Sequence, residues 1–238
     1  MSSPSGASPL PVLFQSDTLL AVDKPAGIIV HGDGTGTATL TDAARALVAG
    51  GHSFPEGAAR DLQALQRLDR DTSGIVLFSL SKQTQPSYDR LIAEHRLTKR
   101  YLAIAAGRAP WEERVFTWPI GRNRHDARRM RVSKTGKPAL TRARVLARAR
   151  WQGGPVTLLA VEIETGRKHQ IRVHLAHAGL PLLGDALYGR SSKAGLMLHA
   201  AELSFIDPVA GSPVQITSPA PQRFRTLFPT CASLRPSR

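Results

Sequence analysis

Two stretches of this 238-residue chain concentrate side chains able to do chemistry. The first is Gln66-Arg67-Leu68-Asp69-Arg70-Asp71-Thr72-Ser73-Gly74, which runs straight into an apolar strand-like segment at 75–80. It sets two carboxylates and two guanidinium groups at the mouth of that segment. Cations beside a carboxylate favour its ionised form, which general-base and nucleophilic chemistry both need. On residue type alone, Asp69 is equally a catalytic carboxylate and a structural ion-pair partner. Asp71, Thr72 and Ser73 read as turn residues whose side chains cap backbone groups. The second stretch is Thr165-Gly166-Arg167-Lys168-His169-Gln170-Ile171-Arg172-Val173-His174. A strand ends there, a glycine turn follows, and a helix opens whose first N–H groups favour anions. Arg172, one turn into that helix, can reach a carboxylate on a neighbouring strand. His169, His174 and His177 have no Cys or acidic partner at ligand spacing, so no metal site is expected. Tyr101, in Lys99-Arg100-Tyr101, points into a cleft or fills a core edge. The glycine-rich stretch 32–36 matches no phosphate-binding pattern and reads as a loop.

The elements that must position these groups follow from periodicity and turn chemistry. Short strands are expected at 12–15, 19–22 and 27–30, broken by the turn Lys24-Pro25-Ala26-Gly27. A helix fits 41–49 and stops at Gly50-Gly51. The apolar strand 74–80 precedes a helix at 85–95, with Pro86 in its first turn. Strands follow at 99–106, 141–151 and 156–163, a helix at 169–178, strands at 197–205 and 214–217, and a helix at 222–227. Between 108 and 138 the chain reads as loops and short strands. Over 141–151 the odd-numbered residues, from Thr141 to Trp151, take one face, and Arg142, Arg144, Arg148 and Arg150 dominate the other. Strands outnumber helices and arrive in runs, which predicts an α+β fold with a mixed sheet.

Charge narrows the class of partner. The net charge is +14, and sixteen Lys and Arg against three acids lie between Arg96 and Arg150. A surplus packed into under a quarter of the chain favours a polyanion. No amphipathic lipid-facing helix accompanies it, so nucleic acid is favoured over membrane. The loop residues Arg122, Arg124, Arg128, Arg129, Arg131 and Lys134 are the expected phosphate contacts. The segment 1–10 is Ser-, Pro- and Gly-rich and reads as disordered, without the pattern of a signal or transit peptide. With one cysteine, Cys231, the expected location is cytoplasmic.

Together these segments resemble the RluA-type family of pseudouridine synthases. Gln66–Gly74 follows the family's H-R-L-D-R-x-T-S-G in all but its first residue, and Lys99-Arg100-Tyr101 follows K-x-Y. Residues 165–174 follow T-G-R-x-H-Q-I-R-x-H and continue into Gly184-Asp185 and Tyr188-Gly189. Asp23-Lys24-Pro25-Ala26-Gly27, Gly136-Lys137-Pro138-Ala139-Leu140-Thr141 and Leu198-His199-Ala200 add agreement, so the likeness spans about 12–217. Gln66 departs from the family His. The chain is similar to the shorter members, without the small accessory RNA-binding domain many relatives carry.

The resemblance implies a mainly antiparallel sheet with flanking helices and an RNA-binding cleft, formed by a catalytic domain over 11–228 with a tail at 229–238. It implies isomerisation of uridine in structured tRNA or rRNA by a monomer, with no cofactor and no membrane. Asp69 becomes the essential carboxylate, attacking C1′ or abstracting the C2′ proton. Arg172 becomes its partner, Tyr101 the residue stacking on uracil, and Arg67 the side chain that fills the space left by a flipped nucleotide. The rival expectation is a non-catalytic RNA-binding or assembly protein that kept the fold. Its mark would be loss of Asp69, Tyr101 or Arg172, and all three are present.

Overall fold

The computed structural model describes residues 10–229 except Asp33, Thr35 and His52. The expectations for 1–10 and 229–238 therefore fall, save for Leu10 and Pro229, outside the described residues. The chain opens with β1 (Val12–Gln15), β2 (Leu19–Lys24), α1 (Leu40–Gly50), α2 (Ala58–Asp61) and β3 (Gln63–Ala64). Next come β4 (Ser73–Ser79), α3 (Gln85–Ala93), β5 (Thr98–Ala106), β6 (Glu113–Phe116), β7 (Ile120–Arg122) and β8 (Met130–Val132). The long strands β9 (Thr141–Trp151) and β10 (Gly154–Ile163) precede α4 (Gln170–His177), β11 (Leu198–Ile206), β12 (Pro213–Thr217) and α5 (Gln222–Leu227).

One ten-stranded sheet runs β1-β2-β4-β11-β5-β10-β9-β6, with β3 added beside β4 and β12 beside β11, while β7 and β8 pair separately. Its single parallel pairing is a short seam where β4 meets β11 at Ser73–His199 and Gly74–Ala200. The remaining ladders are antiparallel. The sheet is thus mixed and mainly antiparallel, as expected for this α+β chain.

Alternation sorts each strand between two layers. From β5, Tyr101, Ala103 and Ala105 pack with Ile171 and Leu175 of α4. Leu102 and Ile104 pack on the other face with Phe224 of α5 and Phe228. On β4, Ile75 and Leu77 meet Tyr88 and Leu91 of α3, whereas Val76 and Phe78 meet Leu40, Ala44 and Val48 of α1. Burial on both faces explains why β4 reads as an uninterrupted apolar run. Each such side chain contributes roughly 1.5–3 kcal/mol. Helix α1 starts at a capping box: Thr39 Oγ1 accepts the Asp42 N–H, and Asp42 accepts the Thr39 N–H, each at 3.1 Å.

Two sequence expectations need correction. Residues 27–30 form no strand. Gly27 sits at φ +93° in a turn, and the Ile29 and Val30 carbonyls accept the N–H groups of Leu40 and Thr41. Their bonds go to the start of α1 and not to a ladder. Nor does β9 keep one face. The register with β10 slips between Leu158–Ala147 and Leu159–Val145, which makes Leu146 the extra residue of a bulge. Ala143 and Val145 pack on the α4 side, and Ala147, Ala149 and Trp151 on the α5 side.

Candidate active site

A cleft of about 620 Å³ opens on the α3–α4 side of the sheet, between the loop entering β4, the start of β5 and the turn leading into α4. The loop that carries Asp69 is clamped from behind. The Arg70 carbonyl accepts the Gly27 N–H at 2.9 Å and the Lys24 ammonium at 2.8 Å, and Arg70 Nε donates to the Gly27 carbonyl at 3.0 Å. Lys24 is fully buried and also donates to the Pro25 carbonyl at 2.9 Å. Burial pulls its pKa down to about 8, against the attraction of Asp71 and Asp69. Gln66, which stands where the family has His, reaches the Ile75 carbonyl at 3.4 Å and ties the loop to β4.

Helix α4 is fixed by Gln170. Its amide oxygen accepts from Thr165 Oγ1 (2.8 Å) and the Arg167 N–H (3.0 Å), and its nitrogen donates to the Leu140 carbonyl (2.9 Å). That anchor aims Arg172, 5% exposed, at two carboxylates. Arg172 Nη1 donates to Asp69 Oδ2 at 2.9 Å, while Nε and Nη2 grip both oxygens of Asp185 at 2.8 Å each. Asp185 also accepts the N–H groups of Leu187 and Tyr188. Burial would push the Asp185 carboxyl up, but the guanidinium and those N–H groups hold it below its ordinary value. Burial works against the Arg172 charge as well, yet the two carboxylates outweigh it and its pKa is raised. Asp69 alone of the three keeps partial exposure and opens to the cleft.

Tyr101 lies in the wall beside Asp69, 7% exposed. Burial, and then the Asp69 carboxylate, push its phenol far above the usual value, which disfavours the phenolate a base would need. His169 begins α4 in the left-handed region at φ +57°. Its Nδ1 lies 2.8 Å from the Tyr188 hydroxyl, which already accepts the Met130 N–H at 2.7 Å. The phenolic proton is then left for Nδ1, and the imidazole carries its own proton on Nε2, 3.8 Å from Asp69 Oδ1. Burial pulls the His169 pKa below normal, which favours that neutral form. His174 instead holds Thr141 Oγ1 and the Trp118 carbonyl, and His177 meets Trp118 edge-on. Among the described residues, no three or more His, Cys, Asp or Glu side chains gather as a metal set.

The structure brings Asp69, Tyr101, Arg172 and Arg67 to one cleft. The other sequence candidates lie on or beside the β7–β8 hairpin, whose inner residues Ile120, Met130 and Val132 pack on Val173 of α4. Arg122, Arg124, Arg131 and Lys134 are exposed there. Arg128 is gripped by Asp126 through Nε (3.0 Å) and Nη2 (2.9 Å). Arg129 lies 5.2 Å over the Tyr188 ring, as Arg172 does. Asp185 and Tyr188 were visible in the sequence only as extensions of a motif. Their work as the second carboxylate and as the link from hairpin to His169 needs tertiary proximity to appear.

A family model described as RNA pseudouridylate synthase matches residues 18–177. An uncharacterized RNA pseudouridine synthase of Bacillus subtilis, YhcT, is 35% identical over 224 residues, covering 93% of this chain and 72% of that protein. Ribosomal large subunit pseudouridine synthase D of Xanthomonas campestris is 34% identical, covering 92% of this chain and 69% of its own length. The solved structure of human RNA pseudouridylate synthase domain containing 1 superposes with a TM-score of 0.79 at 27% identity, over 99% of this chain and 94% of that one. Among the described residues no helix is long and apolar enough to cross a membrane. The chain belongs to the RNA pseudouridylate synthase family, isomerases that act on RNA.

Proposed function

We propose that residues 11–228 form a catalytic domain that converts uridine to pseudouridine in a stem-loop of large-subunit ribosomal RNA. The enzyme would act as a monomer in the cytoplasm, with Asp69 as the reacting carboxylate. The observation that carries this reading is the chain Asp69–Arg172–Asp185. A buried guanidinium fixes one oxygen of Asp69 and is itself fixed by a second carboxylate, which leaves Asp69 Oδ1 turned to the cleft. From there it takes C1′ or the C2′ proton of a uridine lying on Tyr101. The glycosidic bond is hidden in stacked RNA, so the nucleotide must be flipped out at a cost of a few kcal/mol. Arg67, exposed at the rim of the same loop, fills the vacated space. The ribosomal substrate is inferred from the name of the Xanthomonas relative and its high coverage.

The test is release of tritium from large-subunit ribosomal RNA labelled at uracil C5, without added metal or nucleotide. Release by the wild-type chain and none by Asp69→Asn is the expected result. No release from that RNA, with release from transfer RNA, would move the substrate. No release from either would leave the non-catalytic RNA-binding reading standing.

A further inference from the structure

The cleft holds a cation that no protein group engages. Strand β5 alternates, so Lys99 and Tyr101 share its cleft-facing side, about 7 Å apart along the strand. Lys99 is 7% exposed, and its neighbours across the ladders are Ile163 and Leu203. It forms no hydrogen bond or ion pair with any described residue. Lys24 is buried as deeply but satisfies its ammonium with two carbonyls. A lysine is seldom buried unless paired, because an unmatched ammonium loses its hydration with nothing in return. Burial alone pulls the Lys99 pKa below the ordinary lysine value, with no carboxylate near enough to offset it. Lys99 lines the cleft, so a substrate seated there can supply the partner the protein does not.

Building on the synthase reading of this cleft, we propose that Lys99 is a further catalytic residue, hydrogen-bonding a carbonyl oxygen of the uracil and stabilising the anion formed when the ring leaves C1′. When the C1′–N1 bond breaks, its electron pair stays on the ring and delocalises over N1, O2 and O4. On the elimination route the C2′ proton passes to Asp69; on the displacement route Asp69 bonds to C1′. In either case the free ring is an anion, and the negative charge appears only during reaction. A cation placed in the cleft and unpaired before the reaction stabilises that state more than the neutral base, which is what catalysis requires. As C5 bonds to C1′, Asp69 returns the proton to C2′ on the elimination route, or its own bond to C1′ breaks on the displacement route. The C5 proton is then lost, N1 gains one, and the ring is neutral again. A backbone phosphate is the poorer fit for this lysine. The cations open to a phosphate are exposed ones, Arg67 at the cleft and Arg122, Arg124 and Arg131 on the hairpin, whereas Lys99 lies at depth.

The experiment compares two transcripts of large-subunit ribosomal RNA, one made with uridine and one with 5-fluorouridine. Loss of the parent nucleoside is followed under single-turnover conditions. Fluorine at C5 withdraws electrons and stabilises the departing ring anion, so it reduces the need for Lys99. Lys99→Met is expected to slow the uridine reaction by about 10²-fold or more, the scale of losing one preorganised donor. On the fluorinated RNA that deficit should shrink about tenfold, with RNA affinity unchanged on both. Thermal stability should not fall, since an unpaired buried charge has been removed. Lys99→Gln repeats the comparison with a neutral donor if Met disturbs the fold. An equal deficit on both RNAs overturns the proposal. So does weaker binding with a flatter salt dependence and an unchanged rate, the signature of a phosphate contact. A wild-type chain inactive on both of these RNAs and on transfer RNA would instead overturn the synthase reading itself; activity on transfer RNA alone moves the same comparison to that substrate.

Discussion

Asp69, Arg172 and Asp185 form a relay in which each group constrains the next, so substitutions there have separable outcomes. Asp69→Asn exchanges one oxygen for an amide of nearly equal size and leaves Arg172 gripped by Asp185. Turnover should fall by on the order of 10⁴-fold or more while RNA affinity is kept. Gel-shift binding beside tritium release measures both; lost affinity would mean Asp69 serves folding or docking. Arg172→Lys keeps the charge but cannot span two carboxylates, because an ammonium lacks the guanidinium's planar fork. We expect destabilisation of roughly 1–3 kcal/mol in denaturant unfolding together with a strong loss of rate. An active Arg172→Lys enzyme of normal stability would contradict the relay. For Tyr101, stacking predicts that Phe is milder than Ala in single-turnover rate, and equal damage from both would make the phenolic oxygen essential. The sequence showed Asp69, Tyr101 and Arg172 because their neighbours form runs of fixed order. It could not show that Asp185 completes the relay or that Lys99 is unpaired, since both depend on how distant segments meet.

At the scale of elements, the short parallel seam between β4 and β11 delivers the Asp69 loop to the cleft. Gly74 sits there at φ +111°, and a Cβ on it would collide with the backbone of Ala200. Gly74→Ala should therefore cost several kcal/mol, well beyond the ~1 kcal/mol of an ordinary glycine replacement. A buried network closes the seam. His199 Nδ1 lies 3.0 Å from Ser73 Oγ, its Nε2 is 3.1 Å from Ser218 Oγ, and Arg223 of α5 donates to Ser73 Oγ at 2.6 Å. Burial, and then the nearby Arg223 charge, lower the His199 pKa to about 4, despite the Ser218 and Pro219 carbonyls. With the unfolded value near 6.5, the unfolded chain binds the extra proton first as pH falls. Stability should drop between about pH 6.5 and pH 4, by roughly 3 kcal/mol if this group acts alone. His199→Gln should flatten the midpoint-against-pH curve across that window, and an unchanged slope would exclude His199 as the cause. The strands of this seam were legible because apolar runs survive any register. The bulge at Leu146 left only a faint mark, the apolar run Val145-Leu146-Ala147 that interrupts the arginines, and it is the pairing with β10 that shows the slip.

Across the whole molecule the positive charge is less uniform than the sequence suggests, because folding neutralises part of it. Arg142, Arg144 and Arg148 of β9 lie 3.6, 3.9 and 2.6 Å from Glu164, Glu113 and Glu112. Arg148 also donates to the Ala109 and Trp111 carbonyls, and Arg150 to that of Gly153. Surface pairs of this kind add little stability, but they leave fewer free cations for a polyanion. On the hairpin side, Asp126 occupies Arg128, while Arg129 is stacked on Tyr188. Arg122, Arg124, Arg131 and Lys134 remain exposed, with no carboxylate among the described residues within ion-pair distance. They border a hairpin joined to the Asp69 carboxylate through Met130, Tyr188 and His169, so RNA seated there would be registered against Asp69. If these four meet phosphates, removing any one of them should lower the slope of log affinity against log salt by roughly 0.7–0.9. We expect Arg122→Ala combined with Arg131→Ala to weaken binding to ribosomal RNA and flatten that slope by about twice as much. Arg148→Ala combined with Arg150→Ala should leave the slope nearly unchanged, since those guanidiniums already serve the protein. Titrations between low and moderate salt decide the matter. Equal flattening from both pairs would bring the β9 surface into the RNA interface, and no flattening from the hairpin pair would remove the hairpin from it.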